Sequence, residues 1–182
     1  SEMCIRDSTF PYYYINGSIY HSNRTYLVTV PANLTLVKVG YPNNETRFLL
    51  TSVQGMANSS LPTVIIDKDG IYVINATYVT QYYVTVSPQV NAYINGVKEK
   101  FTSGWYDEGT KVVVFPQVIQ VVQGEIYNVT ETHEYVIDYP MTIKVPYVVE
   151  YYIALNLESL PAIINGINST LVSGYYPEGT RI

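Results

Sequence analysis

Catalysis needs a nucleophile, an acid–base pair or a bound metal, and the residues able to supply these are few and scattered in this chain. The two histidines, His21 and His133, stand far apart, and neither has a cysteine, a second histidine or a paired carboxylate at ligand spacing. Strand alternation around His133 places it on a solvated face. No Gly-x-Ser-x-Gly elbow, His-Glu-x-x-His pair or glycine-rich phosphate loop occurs. Asp67-Lys68-Asp69-Gly70 begins like a calcium loop, but Ile71 and Val73 follow where oxygen ligands are required. It reads instead as a β-hairpin turn with Asp-Gly at its tip. Calcium held between repeats by Asp67, Asp69 or Asp138 is the alternative. Asp107 and Glu108 are adjacent, so on a strand they point to opposite faces and form no acid pair. A later copy of the same motif has Pro177-Glu178 there. The expectation is therefore no catalytic residue, no metal and no cofactor in this chain.

The residue pattern that does recur is Asn-x-Ser/Thr, the acceptor of N-linked sugar. It occurs at Asn16, Asn23, Asn33, Asn44, Asn58, Asn75, Asn128 and Asn168, which is 8 of the 13 asparagines. With 29 serines and threonines in 182 residues, chance placement would give about two. The excess points to a secreted, N-glycosylated chain. Five of the eight precede residue 60, so sugar would cover the first part most densely and shield exposed strand edges. Glycan also accounts for solubility in a chain with only 14% charged residues. The net charge of −5 argues against a nucleic-acid partner and against docking on anionic lipid. No run of 18 apolar residues offers a membrane contact.

Self-comparison identifies what positions these residues. Thr77–Val86 (TYVTQYYVTV) matches Pro146–Leu155 (PYVVEYYIAL) at an offset of 69. Tyr93–Gly96 matches Ile163–Gly166, and Thr102–Val112 (TSGWYDEGTKV) matches Val172–Ile182 (VSGYYPEGTRI), both at 70. Three ordered matches define a repeat of about 70 residues. A degenerate earlier copy starts at Tyr13–Gly17, with Asn23–Val30 (NRTYLVTV) standing where EGTKVVVF stands later and Thr63–Ala76 comparable to Glu134–Val145. The organisation read from this is a first repeat over 9–80, a second over 81–149 and a third over 150–182 that is cut near its midpoint. The third is expected to be poorly ordered or to lean on the second.

Each repeat reads as β-structure. The 20 tyrosines and abundant Val, Ile and Thr suit pleated, half-buried surfaces. Tyr82, Val84 and Val86 alternate with Tyr83 and Thr85, and turn residues recur at sandwich-like spacing. Lys111–Val122 (KVVVFPQVIQVV) is apolar on both faces, as a core strand would be, and Pro116 splits it. In SGWYDEGT, Gly104 and Gly109 would allow positive φ on either side of a tight connection. Trp105 and Tyr106 would then fold over the sheet end as a plug, and Gly174, Tyr175, Tyr176 and Gly179 would repeat the device. The expected fold is all-β, as tandem small β-sandwich (Ig-like) repeats.

Residues 1–8 (SEMCIRDS) resemble a translated sequencing adaptor of the kind found at the ends of metagenomic reading frames. They are set aside from the fold reading, and with them the only cysteine, Cys4. The YYVTV strand opening, the SGWYDEGTKV turn, NETRF and VIIDKDGIYVINATYVTQYYVTV resemble the tandem β-repeats of archaeal secreted and S-layer-type surface proteins. They are more distantly similar to divergent internalin B-repeat-like surface repeats. Two departures stand out: no Trp follows Arg47, and the first copy lacks the GWY turn. The resemblance implies an extracellular or cell-surface setting and partners that are neighbouring repeats or subunits of the same assembly. Three functional readings follow: a structural or adhesive surface protein (stalk, S-layer-like lattice or filament); a non-catalytic appendage of a secreted hydrolase or solute-binding protein; and a carbohydrate-binding module using Trp105, Tyr106, Tyr175 and Tyr176 to hold glycans.

Overall fold

A computed structural model describes residues 2–6, 12–21, 23–54 and 63–182. The chain is all-β: strands account for every regular element among these residues, and no helix occurs. It divides into two compact units. The first comprises Ser1–Val84, Gly104–Gly109 and Ile137–Met141; the second comprises Thr85–Ser103, Thr110–Val136 and Thr142–Ile182. The division falls inside one long strand, Ile71–Ser87, in which the Thr80/Gln81 repeat boundary also lies.

The first unit has two sheets. One runs in the order Ser18–His21, Tyr12–Ile15, Ala32–Thr35, Thr63–Ile66. The other runs Thr25–Leu27, Glu2–Arg6, Ile71–Ser87, Thr46–Gln54, Val39–Asn43, with Gly104–Asp107 also pairing the long strand. Tyr13, Ile15, Ala32, Leu34 and Ile66 of the first sheet bury into one core with Leu50, Ile74, Ala76 and Tyr78 of the second. That shared core is the arrangement expected of a β-sandwich. The period of two is visible in Ile74, Ala76 and Tyr78, which are buried while Val73, Asn75 and Thr77 between them are exposed.

The second unit repeats the plan. Val97–Phe101, Val90–Ile94, Thr110–Val114 and His133–Ile137 form one sheet in that order. Gln117–Val122, Glu125–Val129, Val148–Ile153 and Gly174–Pro177 form another. Met141–Lys144 pairs the end of the long strand, where the Val145 N–H donates to the Ser87 carbonyl at 2.9 Å. The opening strand of the third copy, Val148–Ile153, pairs antiparallel with Glu125–Val129, and its hairpin of Leu160–Ile164 and Ile167–Leu171 forms a two-stranded sheet.

One local difference separates the copies. In the earlier one, INATYVTQYYV runs unbroken as part of Ile71–Ser87. In the later one, IKVPYVVEYYI breaks into Met141–Lys144 and Val148–Ile153. Pro146 stands where Thr77 stands, and proline has no N–H to give a ladder.

Several expectations are corrected. Asp67–Gly70 is not a hairpin tip: the strands it joins, Thr63–Ile66 and Ile71–Ser87, lie in different sheets. The apolar run at Lys111–Val122 does break at Pro116, but only Thr110–Val114 enters the core. Gln117–Val122 is an edge strand with Val118, Val121 and Val122 exposed. Asn23–Val30 is not the counterpart of EGTKVVVF. Thr25–Leu27 instead pairs with Glu2–Arg6 as Gly104–Asp107 pairs with Gln81–Val84. Ala32–Thr35 holds the place of Thr110–Val114, between a hairpin strand and a fourth strand.

Candidate functional site

The element shared by all three copies is an Asn-Gly hairpin tip. Asn16-Gly17, Asn95-Gly96 and Asn165-Gly166 each take positive φ at both residues: 47 and 83°, 48 and 84°, 51 and 84°. This is the type I′ turn, whose twist matches that of the flanking strands. Each tip asparagine then reaches a residue further along the chain by two bonds. Asn16 N–H donates to the Asn33 carbonyl (2.9 Å) and Asn16 Oδ1 accepts from Asn33 N–H (2.8 Å). Asn95 bonds Lys111 in the same way (2.8 and 2.9 Å), and Asn165 bonds Arg181 (2.9 and 2.9 Å). Asparagine suits the position because it tolerates the left-handed region and carries an acceptor two bonds from Cβ. We term this pairing the asparagine clamp. Tyr93–Gly96 and Ile163–Gly166, matched in sequence, both close hairpins, and the Asn-Gly dipeptide is the sequence signal for this.

The Trp105 element is a strand rather than a plug. Gly104–Asp107 pairs antiparallel with Gln81–Val84, Trp105 opposite Tyr83 and Tyr106 opposite Tyr82. Gly104 and Gly174 have ordinary φ, whereas Gly109 and Gly179 take the left-handed region at 78 and 81°. The tight turn therefore lies only on the C-terminal side. Trp105 and Tyr106 alternate to opposite faces, as do Tyr175 and Tyr176, so neither pair makes one flat platform. Trp105 instead meets Tyr83 (ring centroids 5.4 Å) and Tyr41 (6.0 Å) edge-on, with the Arg47 guanidinium 4.6 Å above its ring. Arg47 Nε donates to Gln81 Oε1 and Gln81 Nε2 to Asp107 Oδ1, both at 2.6 Å. A polar row thus crosses three strands beside the aromatic group. Tyr152 and Tyr175 repeat the cross-strand ring pair in the third copy at 5.1 Å. Arg47, Tyr41, Gln81 and Tyr83 were not singled out from sequence, although Gln81 and Tyr83 share one parity on their strand.

On the other face, Tyr82 donates to Glu108 Oε1 at 3.2 Å. Desolvation, and then this bond, raise its phenol pKa. Tyr176 donates to the Val172 carbonyl at 2.9 Å, and the Tyr26 hydroxyl accepts from His21 N–H at 3.3 Å. These two tyrosines hold corresponding positions, each tied to the preceding strand's end. His21 is exposed, while His133 is half-buried rather than solvated, with Glu134 taking the exposed position. Among the described residues no three His, Cys, Asp or Glu side chains are grouped to hold a metal, so Asp67, Asp69 and Asp138 do not converge.

The acceptor asparagines fall into three groups. Asn16, Asn23, Asn33, Asn44, Asn75 and Asn168 are exposed. Asn128 is half-buried, and its Nδ2, the atom a glycan would occupy, donates to Glu150 Oε1 at 2.9 Å. Asn58 lies outside the described residues. No helix among the described residues is long and apolar enough to cross a membrane. No family model, curated protein or solved structure matches the chain.

Proposed function

We propose that this chain is a structural or adhesive repeat segment of an extracellular, N-glycosylated surface protein and carries no catalysis of its own. The observation that carries the reading is the asparagine clamp. One hairpin tip with the same two bonds recurs in three copies, at Asn16, Asn95 and Asn165. What this chain duplicates is therefore architecture. The acidic pair is not kept, since Asp107-Glu108 becomes Pro177-Glu178, whereas the turn glycines Gly109 and Gly179 persist with nearly the same φ. Repetition of a self-bracing unit serves reach and lattice contact. The six exposed acceptor asparagines support a sugar-coated surface, and sugar there would guard the edges of short sheets. The glycan-platform reading is less well supported, because Arg47 lies over the Trp105 ring and Tyr106 faces the other way.

Antibody raised against the chain tests the proposal on source cells. Intact cells, or their surface-shed fraction, should bind it. Binding only after permeabilisation would defeat the surface assignment.

A further inference from the structure

Tyr127 and Tyr147 differ from the other aromatic pairs. Their ring centroids are 4.1 Å apart with planes only 21° from parallel. Tyr127 stands opposite Val149 in the antiparallel register, so Tyr147 is its diagonal cross-strand neighbour. Stacking at this separation holds the two rings face to face, within reach of carbon–carbon coupling. Among the described residues the other ring pairs are not stacked so closely. Tyr152 and Tyr175 meet at 64°, and Tyr13 and Tyr20 are stacked but 6.0 Å apart, with Tyr13 fully buried. Tyr147 is 40% exposed and helps line a surface groove with Thr130, Glu131, His133, Pro146 and Val148. A small oxidant therefore has access to it.

We propose that Tyr127 and Tyr147 form an oxidative crosslinking site, joined as bityrosine by a peroxidase-type one-electron oxidant. Each phenol gives one electron and one proton to the oxidant. The resulting phenoxyl radicals carry spin on the ortho carbons. A Cε–Cε bond forms between the rings, and the two displaced ring hydrogens move to the phenolic oxygens, restoring both aromatic systems. The protein loses two hydrogen atoms, and one hydrogen peroxide becomes two waters. The neighbouring Tyr147 is the leading reason the Tyr127 phenol lies above its ordinary pKa. The product would tie the strand Glu125–Val129 to the segment leading into Val148–Ile153, which Asn128 and Glu150 already bridge non-covalently. The chain has a single cysteine, so no disulfide within it can provide such a staple. This inference does not depend on where the protein resides.

The test treats the dilute full chain with horseradish-type peroxidase and hydrogen peroxide. Blue bityrosine emission should appear while the chain stays monomeric, its mass falling by two hydrogens. Proteolysis and tandem mass spectrometry should find one joined peptide pair holding Tyr127 and Tyr147. Tyr147→Phe should lose that pair, and Tyr152→Phe should keep it. Mapping on the wild-type chain stands independently of how the variants fold. A crosslink mapped to other tyrosines, crosslinking only between molecules, or no bityrosine at all would overturn the proposal.

Discussion

Replacing Asn95 tests whether the clamp braces its unit as its geometry requires. Alanine removes the Oδ1 acceptor of the Lys111 N–H, 2.9 Å away, and forces a Cβ-bearing residue without local compensation into φ 48°. The lost bond costs about 0.5–1.5 kcal/mol. Because the site is exposed, water partly replaces it, and the lower half of that range applies. The left-handed conformation adds about 1–2 kcal/mol for alanine. Asn95→Ala should therefore weaken local stability by about 1.5–3 kcal/mol. Asn95→Gly keeps the conformation and loses the bond, for about 1 kcal/mol. Asn95→Asp keeps an acceptor and tolerates the conformation, so it should be nearly neutral. Native-state hydrogen exchange at the Lys111 amide reads this directly. Alanine should accelerate exchange about 10- to 150-fold, glycine several-fold, and aspartate little. Equal effects of alanine and glycine would refute the conformational argument. An unchanged Lys111 amide in Asn95→Ala would refute the clamp.

Other predictions follow from neighbouring sites. Arg47→Ala removes the cation over Trp105 and the bond to Gln81; about 1–2 kcal/mol should be lost, and Trp105 emission should shift, with an unchanged spectrum contradicting the contact. Tyr82 has a phenol pKa raised by desolvation and by Glu108, so its folded state holds the proton after the unfolded chain has released it. Its contribution is complete below the unfolded value of about 10 and is lost as pH rises through the folded one; Tyr82→Phe should flatten the fall of melting temperature above that pH, and an identical profile would count against the assignment. In a glycosylating host, Asn128 should stay largely unmodified because Glu150 holds its Nδ2, while Glu150→Ala should raise its occupancy; full wild-type occupancy would show that the bond offers no protection.

Period-two patterning made the strands legible, and the 70-residue spacing made the copies legible. Ile74, Ala76 and Tyr78 announce their burial by parity alone. Turn chemistry was harder to interpret. Asp69-Gly70 and Asn95-Gly96 carry similar local signals, yet one connection changes sheets and the other closes a hairpin. The choice depends on which sheet the following strand joins, a long-range fact no dipeptide encodes. Hydropathy failed at Gln117–Val122 for a related reason, since an edge position exposes valines that a central one would bury. Gly104 looked like a conformational hinge but sits in an ordinary strand; among such glycines, only the turns that follow at Gly109 and Gly179 need positive φ. Trp105 was visible as a residue, but its partners Tyr41, Arg47 and Tyr83 come from separate strands brought together by register.

Glycopeptide mapping of the chain recovered from its own cells tests the central claim most directly. The account predicts recovery from the envelope or medium, with sugar on exposed acceptors such as Asn23, Asn44, Asn75 and Asn168. Recovery from the cell interior with every one of these asparagines bare would contradict it.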